Sequence, residues 1–111
     1  HPDHMTAGDT ALSAIFPTAR DHMTFPELIE EGFEPHKVAE AWIMGHPEPD
    51  LWVDISDHME TSIKALTAHV SQMDGKSYDE VLERMLEWRG ERGKGKGMRQ
   101  ADAFKRIYYR R

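Results

Sequence analysis

The sequence predicts an α/β domain. Three observations carry that prediction. Apolar residues recur at helical spacing in several separate segments, two short runs rich in β-formers flank a proline-rich loop, and capping or breaking residues fall between these elements. The chain of 111 residues is one small domain at most, with 39% hydrophobic residues from which to build a modest core.

The elements follow in order. Asp3 or His4 can begin a helix whose apolar positions Ala7, Ala11, Leu12 and Ile15 repeat at helical spacing until Pro17 stops it. In "TFPELIEEG", Thr24 offers a cap with Glu27 three residues on, and Gly32 an end, which makes a short helix or turn. "KVAEAWIM" and "LWVDIS" read as two strands covered on both faces, joined by "GHPEPD". Asp57 and Glu60 suggest a capping box for a long helix with Met59, Ile63, Leu66, Val70 and Met73 on one face. Ser77 and Glu80 suggest another, ahead of an amphipathic helix through Tyr78, Val81, Leu82, Met85 and Trp88. "GERGKGKG" reads as a flexible hinge, and "MRQADAFKRIYY" as a last short helix. Two strands are few for a self-sufficient sheet, so the pattern looks like part of a larger α/β fold.

Charge is unevenly placed. The formal net charge is -6, yet residues 1–88 hold 5 Lys/Arg against 18 Asp/Glu while residues 89–111 hold 9 against 2. The basic tail, with Phe104, Tyr108 and Tyr109, allows a nucleic-acid-binding alternative that the acidic body opposes, and no nucleic-acid partner is expected. No cysteine is present, so any metal must be held by His, Asp and Glu. No apolar stretch approaches the ~20 residues of a membrane span, and no membrane partner is expected.

The chemistry-bearing motif is "HPDH" at residues 1–4. His-x-x-His at a helix entrance lets one imidazole bind metal while the other faces a substrate, with Asp3 orienting an imidazole through its ring N–H. Taken alone, four polar residues at a helix start also describe a simple cap. The tripeptide Asp-His-Met recurs at residues 3–5, 21–23 and 57–59, but its flanks do not repeat, so each copy reads as a cap or turn aspartate beside an exposed histidine.

Taken in order, "HPDH", "FPELIEEGFEPHKVAEAW", "VDIS", "KALTAHVSQ" and "ADAFKRI" resemble the C-terminal part of the LmbE-like family of metal-dependent N-deacetylases. That family includes the N-acetylglucosaminyl-phosphatidylinositol de-N-acetylases (the PIG-L type). The resemblance covers most of the chain and thins between about residues 74 and 97. It implies a Rossmann-like fold to which this chain contributes the C-terminal helices and two strands. Residues 1–111 would be the C-terminal part of one deacetylase domain, with 89–111 its basic hinge and closing helix.

The resemblance also implies zinc, or another divalent cation, and hydrolysis of the N-acetyl group of an amino sugar or its conjugate. His4 matches the family's third metal ligand. His1 matches the residue that stabilises the oxyanion or protonates the departing amine, and Asp3 would tune His1. Amide hydrolysis needs all of these roles filled: an activated water, charge stabilisation and a proton for nitrogen.

The family's other two ligands and its general base come from a His-Pro-Asp-Asp block that has no match here, and "HPEPD" at residues 46–50 lies in the wrong place to replace it. The chain is therefore expected to be a fragment, inactive alone, of a cytoplasmic deacetylase. A non-catalytic sugar- or partner-binding remnant is the alternative within the family. His36 and His69 match family blocks, but read as a loop histidine and a helix-end structural residue. Asp54 is expected to bond backbone or a nearby cation, and Trp42, Trp52 and Trp88 to pack in the core.

Overall fold

The computed structural model describes residues 1–109. Its elements are helix α1 (Pro2–Ile15), helix α2 (Pro26–Glu30), strands β1 (Glu40–Met44) and β2 (Leu51–Asp54), helices α3 (Met59–Thr67) and α4 (Tyr78–Gly93), and strand β3 (Ala101–Tyr108). The chain is α/β, with β3 central in a three-stranded antiparallel sheet of order β1-β3-β2. The described chain divides into two units, one of residues 1–41 with the stretch from Ile107 onward, and one of residues 42–106.

Within residues 42–106, the sheet register pairs Leu51 with Phe104, Trp52 with Ala103, Val53 with Asp102 and Asp54 with Ala101. β3 replaces the closing helix that the sequence suggests. Its Ala, Lys and Arg content favours helix locally, but each face of a strand takes alternate residues. Ala101 and Ala103 are buried while Asp102 and Phe104, which alternate with them, are only partly so, an alternation that ladders on both edges fix.

The core of this unit lies between α3 and α4. Ile63 is fully buried, with Met59 and Val81 beside it, and Ile55, Met73, Tyr78, Leu82 and Met85 packing around them. The expected capping box opens α4: Ser77 Oγ accepts from the Glu80 N–H at 3.3 Å, while the Glu80 carboxylate accepts from the Ser77 N–H at 2.8 Å. The box expected from Asp57 and Glu60 does not form. A 3-10 turn over Ser56–His58 leads into α3, and Glu60 bonds Lys64 one turn on at 2.6 Å. α3 is also shorter than the apolar spacing suggests. Thr67 turns its hydroxyl back onto the Ile63 carbonyl at 2.8 Å, the chain leaves the helix at Ala68, and Val70 faces solvent in a separate 3-10 turn.

The expected hinge is partly structured as well. Gly90 and Gly93 belong to α4, and only then do turns carry the chain to β3. At Gly93 the Met98 carbonyl oxygen crowds the place where a Cβ would stand, so any side chain there forces the backbone to shift. The strands are half-covered instead of covered on both faces: Trp42 is 47% exposed and Met44 more so. None of the three tryptophans is buried as core. Lys96 Nζ sits 3.6 Å over the Trp52 ring and the Arg92 guanidinium 3.7 Å over that of Trp88.

In the other unit, Pro17 pushes Phe16 into extended backbone (φ -150°, ψ 125°) and ends α1 as the sequence predicts. Gly32, at φ +93°, ends α2, which starts from Phe25 with no side-chain cap from Thr24. The His36 N–H donates to the Ala19 carbonyl at 2.7 Å, holding the loop ahead of β1. None of this unit's described residues is buried, and Met5, Phe16, Phe25 and Phe33 stand exposed.

Candidate functional site

The helix entrance at residues 1–4 is the candidate site. α1 begins at Pro2, a residue suited to the first helical turn because its missing N–H would have no intrahelical partner. His1 is the N-cap: its Nδ1 accepts the Asp3 N–H at 3.2 Å, and its carbonyl accepts the N–H groups of His4 and Met5 at 3.1 and 3.2 Å. The sequence places the helix start at Asp3 or His4, and misses that His1 itself caps it, because histidine is an uncommon capping residue.

That cap assigns the tautomer of His1. A nitrogen that accepts a backbone N–H carries no proton, so Nε2 holds it and presents an N–H outward. The Asp3 carboxylate lies 3.7 Å from His1 Nδ1, and acidic charge in the first turn suits the helix dipole. Both side chains are open to solvent, at 63% and 87% exposure, which weakens the pair by screening. The His1 and His4 rings lie 5.6 Å apart between centroids, tilted by 48°, with His4 exposed. The structure therefore brings His1, Asp3 and His4 together at one helix end, with an outward donor on His1.

Zinc requires about three protein ligands. Among the described residues no three His, Asp or Glu side chains converge as metal ligands, and His1 Nδ1 is already committed to the cap. The described residues do not fit a zinc ion, since His4 supplies one donor where three are needed. "HPEPD" does not supply the others: His46 Nδ1 accepts the Glu48 N–H at 3.0 Å, and Asp50 binds Lys105 Nζ and the Arg106 N–H, each at 2.8 Å.

The further Asp-His-Met copies act as turn and entry residues. Asp21 accepts the Met23 N–H at 2.8 Å, His58 precedes α3, and Met59 enters the core. Asp54 accepts the hydroxyl and the N–H of Ser56 at 2.5 and 3.0 Å, and those bonds hold its carboxyl below the usual aspartate range. His69 is exposed and bonds through its main chain, accepting the Gln72 N–H at 2.8 Å.

One polar network escapes the sequence reading. Arg89 of α4 donates to Asp102 Oδ1 at 3.1 Å, to Asp102 Oδ2 at 3.4 Å and to Ser62 Oγ at 2.8 Å, tying α3, α4 and β3 together. Arg89 lies one residue beyond the apolar stripe of α4, the only signal available for it in sequence. Among the described residues no helix is long and apolar enough to cross a membrane.

No protein-family model matches the chain. A curated relative, the diacetylchitobiose deacetylase of Thermococcus kodakarensis, is 33% identical over 72 residues, which is 65% of this chain and 27% of that protein. The match thus spans about a quarter of the relative's length.

Proposed function

We propose that this chain is one part of an LmbE-type N-deacetylase that removes the acetyl group from an N-acetylated amino sugar or its conjugate. The observation that carries the reading is the His1 cap: it leaves Nε2–H free beside Asp3, at the helix end that bears the His-Pro-Asp-His motif. The similarity to a diacetylchitobiose deacetylase supports the substrate class.

The roles follow from what each group can do. His1 Nε2–H donates to the oxygen that gains charge as the amide carbon becomes tetrahedral, and the helix N-terminus adds positive potential there. One oxyanion donor of this kind contributes about 3 kcal/mol. For the same imidazole to give a proton to the leaving nitrogen, Nδ1 must take up a proton, release the Asp3 N–H and turn to the Asp3 carboxylate. His4 would be the one donor that this chain offers to a divalent cation, zinc being the metal the resemblance implies, with further ligands supplied from outside the described residues. No described residue takes the part of the general base.

Incompleteness is part of the proposal. An α1 unit that exposes Met5, Phe16, Phe25 and Phe33 and buries none of its described residues needs further protein against it. One ligand where three are needed agrees with that, and the parent is proposed to be a longer, cytoplasmic protein of Rossmann-like fold. The test is acetate release from diacetylchitobiose and from N-acetylglucosamine in the presence of zinc. The full-length gene product should release acetate and the 111-residue chain should not. Turnover by the chain alone, or none by the full-length product on any N-acetylated amino sugar, would overturn the reading.

A further inference from the structure

We propose that the recess between α4 and β3 binds a small organic carboxylate through Arg92. The recess encloses about 230 Å³, and its walls include Met44, Trp88, Arg89, Arg92, Asp102 and Phe104. None of His1, Asp3 and His4 lines it, so the proposal stands apart from the deacetylase reading.

Its two arginines are spent differently. Arg89 is satisfied by both oxygens of Asp102 and by Ser62. The Arg92 guanidinium lies 3.7 Å from the centre of the Trp88 ring, and its nearest carboxylate oxygen, Asp102 Oδ1, is 3.6 Å away, beyond a good hydrogen bond. Among the described residues no hydrogen bond takes a guanidinium N–H of Arg92. Two guanidinium groups against one carboxylate leave a single positive charge uncompensated in a partly covered recess.

A partly buried cation with unused donors favours an anion that can bond it. The planar guanidinium matches a carboxylate with two parallel N–H···O bonds, and the Trp88 face holds it ready, which lowers the ordering cost of binding. Phe104 and Met44 offer a surface for a flat apolar body, and the space, below the ~300–1,000 Å³ of usual ligand sites, limits that body to about one ring. Within the same unit, the stretch 89–106 carries seven basic residues against two acidic ones, which keeps this part of the chain attractive to anions although the whole chain is acidic.

Benzoate is the probe, with isosteric neutral benzamide and inorganic phosphate as comparisons, titrated into the full chain while the arginine Nε and tryptophan Nε1 signals are followed by NMR. Benzoate should saturate with a dissociation constant on the order of 1 mM, shifting the Arg92 and Trp88 signals. Benzamide should bind about tenfold more weakly, for want of a charge-assisted bond, and so should benzoate to Arg92→Gln. Phosphate, lacking an apolar body, should bind more weakly than benzoate. Equal binding of benzoate and benzamide by the unmodified chain would overturn the proposal without recourse to any variant. So would no saturable benzoate binding, phosphate as the stronger ligand, or shifts that leave Arg92 and Trp88 untouched.

Discussion

Replacing Gly93 with alanine should destabilise the protein, although glycine within a helix is ordinarily less favourable than alanine. The added methyl would overlap the Met98 carbonyl oxygen and stand 3.0 Å from its carbon, both of them backbone atoms. Neither is an ordinary contact, so either α4 or the turn entering β3 must move. Overpacking of this kind costs about 1–3 kcal/mol, while the helix propensity gained from Gly→Ala returns about 0.5–1 kcal/mol. The net expectation is a loss of about 1–2 kcal/mol. Gly90→Ala is the internal comparison. It sits one turn earlier in the same helix, and its nearest neighbours, Gln100 Nε2 and the Arg99 carbonyl oxygen, would be 3.6 and 3.8 Å away, ordinary contacts. That variant should gain up to about 1 kcal/mol. Urea unfolding followed by circular dichroism reads both. A Gly93→Ala protein as stable as the unmodified chain, or a Gly90→Ala protein that loses as much as Gly93→Ala, would refute the close approach of α4 to the 98–99 backbone.

Two other outcomes are expected. Asp102→Asn should cost about 1–3 kcal/mol in the same unfolding assay, because it leaves Arg89, only 13% exposed, without its ionic partner; an unchanged midpoint would show that the network does not hold β3 to α4. Asp50 is held below the ordinary 3.8 by Lys105 and the Arg106 N–H, and Asp54 by the Ser56 hydroxyl and N–H. A carboxylate depressed in the folded state adds stability above its unfolded value that is lost as pH falls through the folded one. Melting temperature should therefore drop below about pH 4, and the drop should be shallower in Asp50→Asn; equal drops would remove Asp50 from the explanation.

The parts of the fold legible in the sequence are those set by local physics. Pro17 ends α1, Ser77 and Glu80 cap α4, and the Tyr78, Val81, Leu82 and Met85 stripe meets Ile63. What sequence misread depends on distant partners. Residues 101–108 are helix-formers by composition but a central strand by pairing, and Trp88 follows the apolar spacing of α4 yet lies under Arg92 instead of in the core. At the candidate site, the motif and its helix-end position were readable. The capping bond that fixes the His1 tautomer was not, since it depends on the backbone direction at Asp3. Arg89 and Arg92 were hidden for the same reason: a basic residue on a helix reads as solvated until the strand bearing Asp102 is brought beside it.

The central claim is that the helix end at residues 1–4 is one edge of a deacetylase site. Acetate release from an N-acetylated amino sugar by the full-length gene product, with and without His1→Ala and His4→Ala, tests it most directly. Removing the His1 donor should lower turnover by about 10²–10³-fold with the fold intact, and His4→Ala should abolish it while lowering the bound metal. Unchanged acetate release in both variants would contradict the account.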